Sequence, residues 1–185
     1  MAGSNSLVRI EELNKAKVVS FYAKCDVPET TAWYQLREWA VKNLKDYQAR
    51  RYIGFAPMGH HPAGEDNDFH EYKAQMILYG SEENDKTFDD AEVCDAPKGL
   101  FLVGDVVLNE FFDDGTIDIG TSMKKSSQTI YECMLSMGGY DVDFDGRTYL
   151  EEHIFPKEWF TTNEPAKIPC EFKFWLPIKK KCTDE

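Results

Sequence analysis

The side chains best suited to chemistry lie in residues 141–153, and they admit two readings. By spacing the stretch fits a calcium loop, with Asp141, Asp143 and Asp145 at positions one, three and five, Gly146 at six and Glu152 at twelve. By its flanks it is a turn feeding a strand, on which Glu151 points the same way as Tyr149 and His153. A carboxylate among aromatic side chains is costly to bury, so it either rises in pKa or awaits a cation. Aromatic faces add about 1–2 kcal/mol of cation–π attraction when desolvated. The plainer alternative is a Glu151 that pairs with a neighbouring group, beside a His153 packed in the core.

The calcium reading fails on context. Gly138, Gly139 and Tyr140 break the helix that should lead into the loop, and Pro156 blocks the one that should leave it. Thr148 stands where an aliphatic residue belongs, and the loop has no second copy in the sequence. A turn is expected instead. His60, His61 and His70 satisfy no ligand spacing, since neighbouring side chains on an extended chain diverge. The five cysteines (Cys25, Cys94, Cys133, Cys170 and Cys182) are dispersed and form no CxxC pair, so reduced thiols in a cytoplasmic protein are expected. No metal, no cofactor and no catalytic nucleophile is expected.

Composition narrows the class. The chain has 185 residues, 42% hydrophobic and 29% charged, as in a soluble single domain spanning 1–185. Its net charge of -12 repels phosphate backbones, which speaks against direct nucleic-acid binding. No apolar run is long enough for a membrane span, and no signal peptide opens the chain. Aromatic residues make up 14% and suit either a filled core or an aromatic pocket.

These side chains must be positioned by regular elements. Residues 17–24 alternate as a strand, with Val19, Phe21 and Ala23 on one face. A helix over about 30–47 presents Trp33, Leu36, Ala40, Leu44 and Tyr47, widened by Trp39. Strands follow over 52–57 and 69–79, the latter with Tyr72, Ala74, Met76 and Leu78 on one face. Residues 58–68 and 81–95 read as loops, and 98–108 as a strand covered on both faces. A second helix over 122–137, capped by Thr121 or Ser122, shows Met123, Ser127, Ile130, Met134 and Met137, and Gly138 ends it. Residues 155–168 read as a loop and 170–178 as the closing strand.

The order strand, helix, strand, strand thus occurs twice. It predicts an α+β fold of two pseudo-symmetric β-α-β-β units. The expected arrangement is an antiparallel sheet with both main helices on one face and a groove between them.

The chain resembles the GyrI-like effector-binding domain over about residues 8–179. The strings that carry the likeness are Pro28-Glu29-Thr30-Thr31-Ala32-Trp33 with Leu36, Trp39 and Ala40; Ile53-Gly54-Phe55 with Pro57; Gly99-Leu100-Phe101; Leu150-Glu151-Glu152-His153; and Phe172 to Ile178. The resemblance implies a bacterial protein that binds amphipathic, often cationic, small molecules, in the manner of multidrug sensors of transcription regulators. It implies a glutamate matching Glu151 and an aromatic position matching His153. Some members resemble hydrolases of strained, cyclopropane-containing compounds. Where many relatives have Tyr-Glu, this chain reads Tyr72-Lys73, which removes an acid and weakens the hydrolase reading.

The expected ligand-binding set is therefore Glu151, Tyr149, His153, Trp39, Tyr72 and Phe55. The expected role is binding or sequestering a cationic amphipath; hydrolysis, or sensing on behalf of a separate regulator, are the alternatives. The sequence leaves the oligomeric state open, a homodimer included.

Overall fold

The computed structural model describes residues 8–14, 16–57, 71–78 and 88–181. Their strands are β1 (Arg9–Leu13), β2 (Lys17–Lys24), β3 (Tyr52–Phe55), β4 (Glu71–Leu78), β5 (Glu92–Asp95), β6 (Gly99–Asp105), β7 (Tyr140–Val142), β8 (Leu150–Ile154) and β9 (Glu171–Lys180). The helices among the described residues are α1 (Pro28–Asn43), α2 (Ile119–Met137) and the short α3 (Lys157–Thr161). The fold is α+β, and each strand register is antiparallel. The repeated order appears as β2-α1-β3-β4 and β6-α2-β8-β9, with the short β7 inserted. The chain divides into two compact units, one of Met1–Leu13, Gly99–Leu150 and Phe172–Glu185, the other of Asn14–Lys98 and Glu151–Glu171.

In the first unit β6 pairs with β1 on one side and β9 on the other. A strand covered on both faces must be apolar on both, and Phe101, Leu102 and Val103 are all buried. The expected face of α2 is partly corrected. Ile130 and Met134 are buried, but Met137 is exposed, and Ser122 and Ser126 take the inward positions above them. The reason is hydrogen bonding: the Ser126 and Ser122 hydroxyls accept from the backbone N–H of Val107 and Glu110, which follow β6. The helix also starts earlier than expected, because Asp118 and not Thr121 is the cap, accepting from the Thr121 N–H at 2.9 Å. Gly138 ends it as expected, in the left-handed conformation at φ 71°.

The acidic turn is held by cations of the protein itself. Arg147 binds Asp143 at 2.9 Å and donates to the Leu100 and Ile178 carbonyls, with its guanidinium over the Phe101 ring. Lys179 and Lys181 approach Asp143 and Asp141. Two of the carboxylates that spacing alone offers to calcium, Asp141 and Asp143, are thereby engaged elsewhere.

In the second unit the strands lie in the order β8-β3-β4-β2-β5. The core forms where α1 meets one face of β2 and β4: Trp33, Leu36, Trp39 and Ala40 pack with Val19, Ala23, Tyr72, Ala74, Met76 and Leu78. That is the set the two periodicities predict. The helix is shorter than expected, stopping at Leu44; Tyr47 lies in a following 3-10 turn, and both still pack on the core.

The loop expected over 155–168 is instead structured, with α3 carrying buried Trp159 and Phe160. Five residues make no stable helix alone. Arg37 of α1 holds this one by donating to the carbonyls of Trp159, Phe160 and Thr162 at 2.8, 3.0 and 2.6 Å. The segment expected to be a loop over 81–95 ends in strand β5, paired to β2. His60, His61 and His70 lie outside the described residues.

Candidate functional site

The second unit gathers Glu29, Trp33, Tyr72, Glu151 and His153 into one cluster. Strand register explains how. β3 lies between β4 and β8, with Gly54 opposite Ala74 on one side and Glu151 on the other, and Tyr52 opposite Met76 and His153. Side chains two apart leave the same face, so Glu151 and His153 project together. Tyr72, one pair along on β4, must cross β3 to reach them.

It crosses at Gly54. A Cβ there would sit 2.2 Å from Tyr72 Oη, 2.7 Å from its Cζ and 2.8 Å from Trp33 Cζ2. The missing side chain at position 54 is the space that the phenol and the indole occupy.

Tyr72 Oη donates to Glu151 Oε2 at 3.1 Å and lies 3.4 Å from His153 Nε2. His153 Nε2 is 3.7 Å from Glu151 Oε2 and 3.9 Å from Glu29 Oε1. The rings enclose this group: Trp33 stands 4.4 Å from His153 and 6.1 Å from Tyr72, and Phe155 lies 5.5 Å from His153 and stacks on Trp159 at 3.8 Å. His153 and Tyr72 are buried, whereas Glu151 is partly open. The buried Trp33 Nε1 meets no acceptor in hydrogen-bonding geometry, although it faces the Tyr72 hydroxyl closely enough to oppose the rise in that group's pKa.

The electrostatics are those of a site short of positive charge. Burial pushes the Tyr72 phenol well above its ordinary value, and the negative charges of Glu151 and Glu29 push the same way. Glu29 is also raised, first by loss of hydration and then by Glu151, with His153 opposing. Over half of its side chain (54%) nevertheless remains open to water, and that exposure limits the rise. Glu29 is the acid that sequence reasoning missed. Its signal is present in retrospect: it precedes Trp33 by four residues and so shares its helix face. The Tyr72-Lys73 pair thus does not leave the site with one acid. Glu71, the acid next to Tyr72 in the chain, is tied to Lys24 at 2.5 Å.

The remaining residues of the expected set lie in other surroundings. Tyr149 belongs to the first unit, where it stacks on Phe174 at 5.3 Å. Trp39 packs against Phe21 and Phe88, donates to Asp90 at 2.9 Å and borders a recess of about 380 Å³. Phe55 is half-buried, and alternation along β3 sends it to the face opposite Gly54. Glu152 lies on the face opposite Glu151, buried in a two-pronged pair with Arg51 at 2.8 and 3.0 Å.

No protein-family model matches this sequence, and no curated protein matches it. Solved structures do match by shape. The C-terminal domain of EcmrR superposes with a TM-score of 0.53 at 9% identity, covering 96% of this chain and 99% of that one. An uncharacterized conserved protein from Listeria innocua gives 0.56 at 10% identity, covering 96% and 94%. A hydrolase from the same organism gives 0.52 at 10% identity, covering 93% and 91%. The chain shares their fold. No described helix is long and apolar enough to cross a membrane.

Proposed function

We propose that the chain is a GyrI-like effector-binding domain that binds amphipathic, cationic small molecules and acts on its own or beside a separate regulator, without contacting nucleic acid itself. One observation carries the reading: two carboxylates, Glu29 and Glu151, converge within one cluster walled by Trp33, Tyr72 and His153. Two negative charges this close repel each other, and an organic cation between them relieves the repulsion while its apolar body covers the rings. The net charge of -12 draws the same class of ligand by long-range attraction.

Fluorescence titration with a lipophilic cationic dye such as rhodamine 6G tests this. Replacing Glu151 by Gln keeps the shape and removes a charge-assisted contact worth about 1.5–3 kcal/mol, so affinity should fall by roughly tenfold or more. Equal affinity for the wild type and Glu151→Gln sinks the proposal.

A second reading is hydrolysis of a strained electrophile. The Tyr72 hydroxyl, in reach of both a carboxylate and an imidazole, could pass a proton to or from a reacting group. Mass spectrometry decides between the two, because a binder returns its ligand intact.

A further inference from the structure

Glu29, Glu151 and His153 offer one nitrogen and two carboxylate oxygens, with one donor atom of each lying within 4.8 Å of the other two. Glu151 and His153 leave the same face of β8, and Glu29 arrives from the first turn of α1. We propose that this triad binds a first-row transition-metal dication of the Zn²⁺ or Mn²⁺ type. The site uses the same acids as the organic-cation reading but does not depend on it, and it revises the expectation of a metal-free protein.

The donor set selects the ion. An imidazole with two carboxylates suits zinc, manganese or iron, whereas calcium requires six or more oxygens. Metal–ligand bonds of about 2.0–2.2 Å put tetrahedral donor atoms about 3.4 Å apart. The two separations from His153 Nε2, 3.7 and 3.9 Å, come close to this. Glu29, with 54% of its side chain exposed, is free to close the difference.

Two further features fit a metal. Tyr72 Oη donates to Glu151 Oε2, orienting that carboxylate in the way outer-shell partners orient ligands. The indole of Trp33, a residue only 4% exposed, lies 4.4 Å from the His153 ring, and its N–H faces the Tyr72 hydroxyl without meeting an acceptor in hydrogen-bonding geometry. Three protein ligands leave coordination positions open for a water or substrate oxygen. Such an oxygen, if held on the Trp33 side of the triad, would give this buried donor an acceptor.

The test is a Co²⁺ titration of the chelator-treated full chain, followed by visible d–d absorption and by quenching of tryptophan fluorescence, with Zn²⁺ as competitor. One saturable Co²⁺ per chain is expected, displaced by Zn²⁺, with affinity lowered at least about tenfold in Glu29→Gln and in Glu151→Gln. Glu29 is exposed, so its variant tests the site without endangering the fold. No saturable binding, or equal affinity for the wild type and Glu29→Gln, overturns the proposal. Rhodamine 6G titrated in the presence of chelator separates the two ideas. Glu151-dependent dye binding there, with a failed Co²⁺ titration, removes the metal and leaves the organic-cation reading standing. Co²⁺ binding with dye binding indifferent to Glu151 does the reverse.

Discussion

Gly54→Ala is the sharpest probe of how the cluster is built. The added methyl would stand 2.2 Å from Tyr72 Oη and 2.7 Å from Cζ, far inside van der Waals contact. Either the ring leaves Glu151 and His153, or the strands part. Losing the hydroxyl's bond to a carboxylate costs about 1.5–3 kcal/mol, and overpacking a tight site costs about 1–3 kcal/mol. Urea denaturation should therefore show a loss of at least about 1–3 kcal/mol, and up to about 6 kcal/mol if both costs are met, with an unchanged m-value. Gly139→Ala, whose Cβ would meet nothing within 4 Å, serves as control and should stay within about 0.5 kcal/mol. In a Tyr72→Ala background the main obstruction is gone, so Gly54→Ala should cost at least about 1 kcal/mol less there. If the two changes add within about 0.5 kcal/mol, Tyr72 does not fill the space over Gly54 and the account of the site is wrong.

Three other outcomes follow from the contacts. Arg51→Ala removes a two-pronged, charge-assisted contact to the buried Glu152 and should destabilise by about 1.5–3 kcal/mol, read from the urea midpoint; no measurable loss means the pair does not act as described. Glu29 has its folded pKa raised above the ordinary 4.5, so its contribution is fully favourable below 4.5 and is lost as pH rises through the folded value. Glu29→Gln should accordingly gain stability relative to the wild type as pH rises from about 4 to 7, and a flat difference contradicts the crowding at Glu29. Asp118 is shifted the other way, lowered by the Thr121 N–H and hydroxyl, so its contribution holds above 3.8 and fades as pH falls through the folded value. Asp118→Ala should lower the thermal midpoint at neutral pH, by an amount that shrinks in acid.

The amino-acid sequence determined the elements and their inward faces. Val19, Phe21 and Ala23 on β2, the even positions of β4 and the Trp33–Leu36–Ala40 stripe of α1 are all legible because side-chain direction repeats with a local period. That Glu151 and Glu152 leave opposite faces of β8 was legible for the same reason, since neighbours on a strand face opposite ways. Tertiary structure decided what those periods cannot carry. Only tertiary contact could make α3 a helix, since Arg37 on α1 satisfies its carbonyls. Burial of Ser122 and Ser126 depends on backbone donors beyond the helix. Above all, Glu29 meets Glu151 and His153, and Tyr72 reaches both, through strand register and the empty space over Gly54. Those are relations between residues distant in sequence, set by how strands pair and pack, and no local pattern records them.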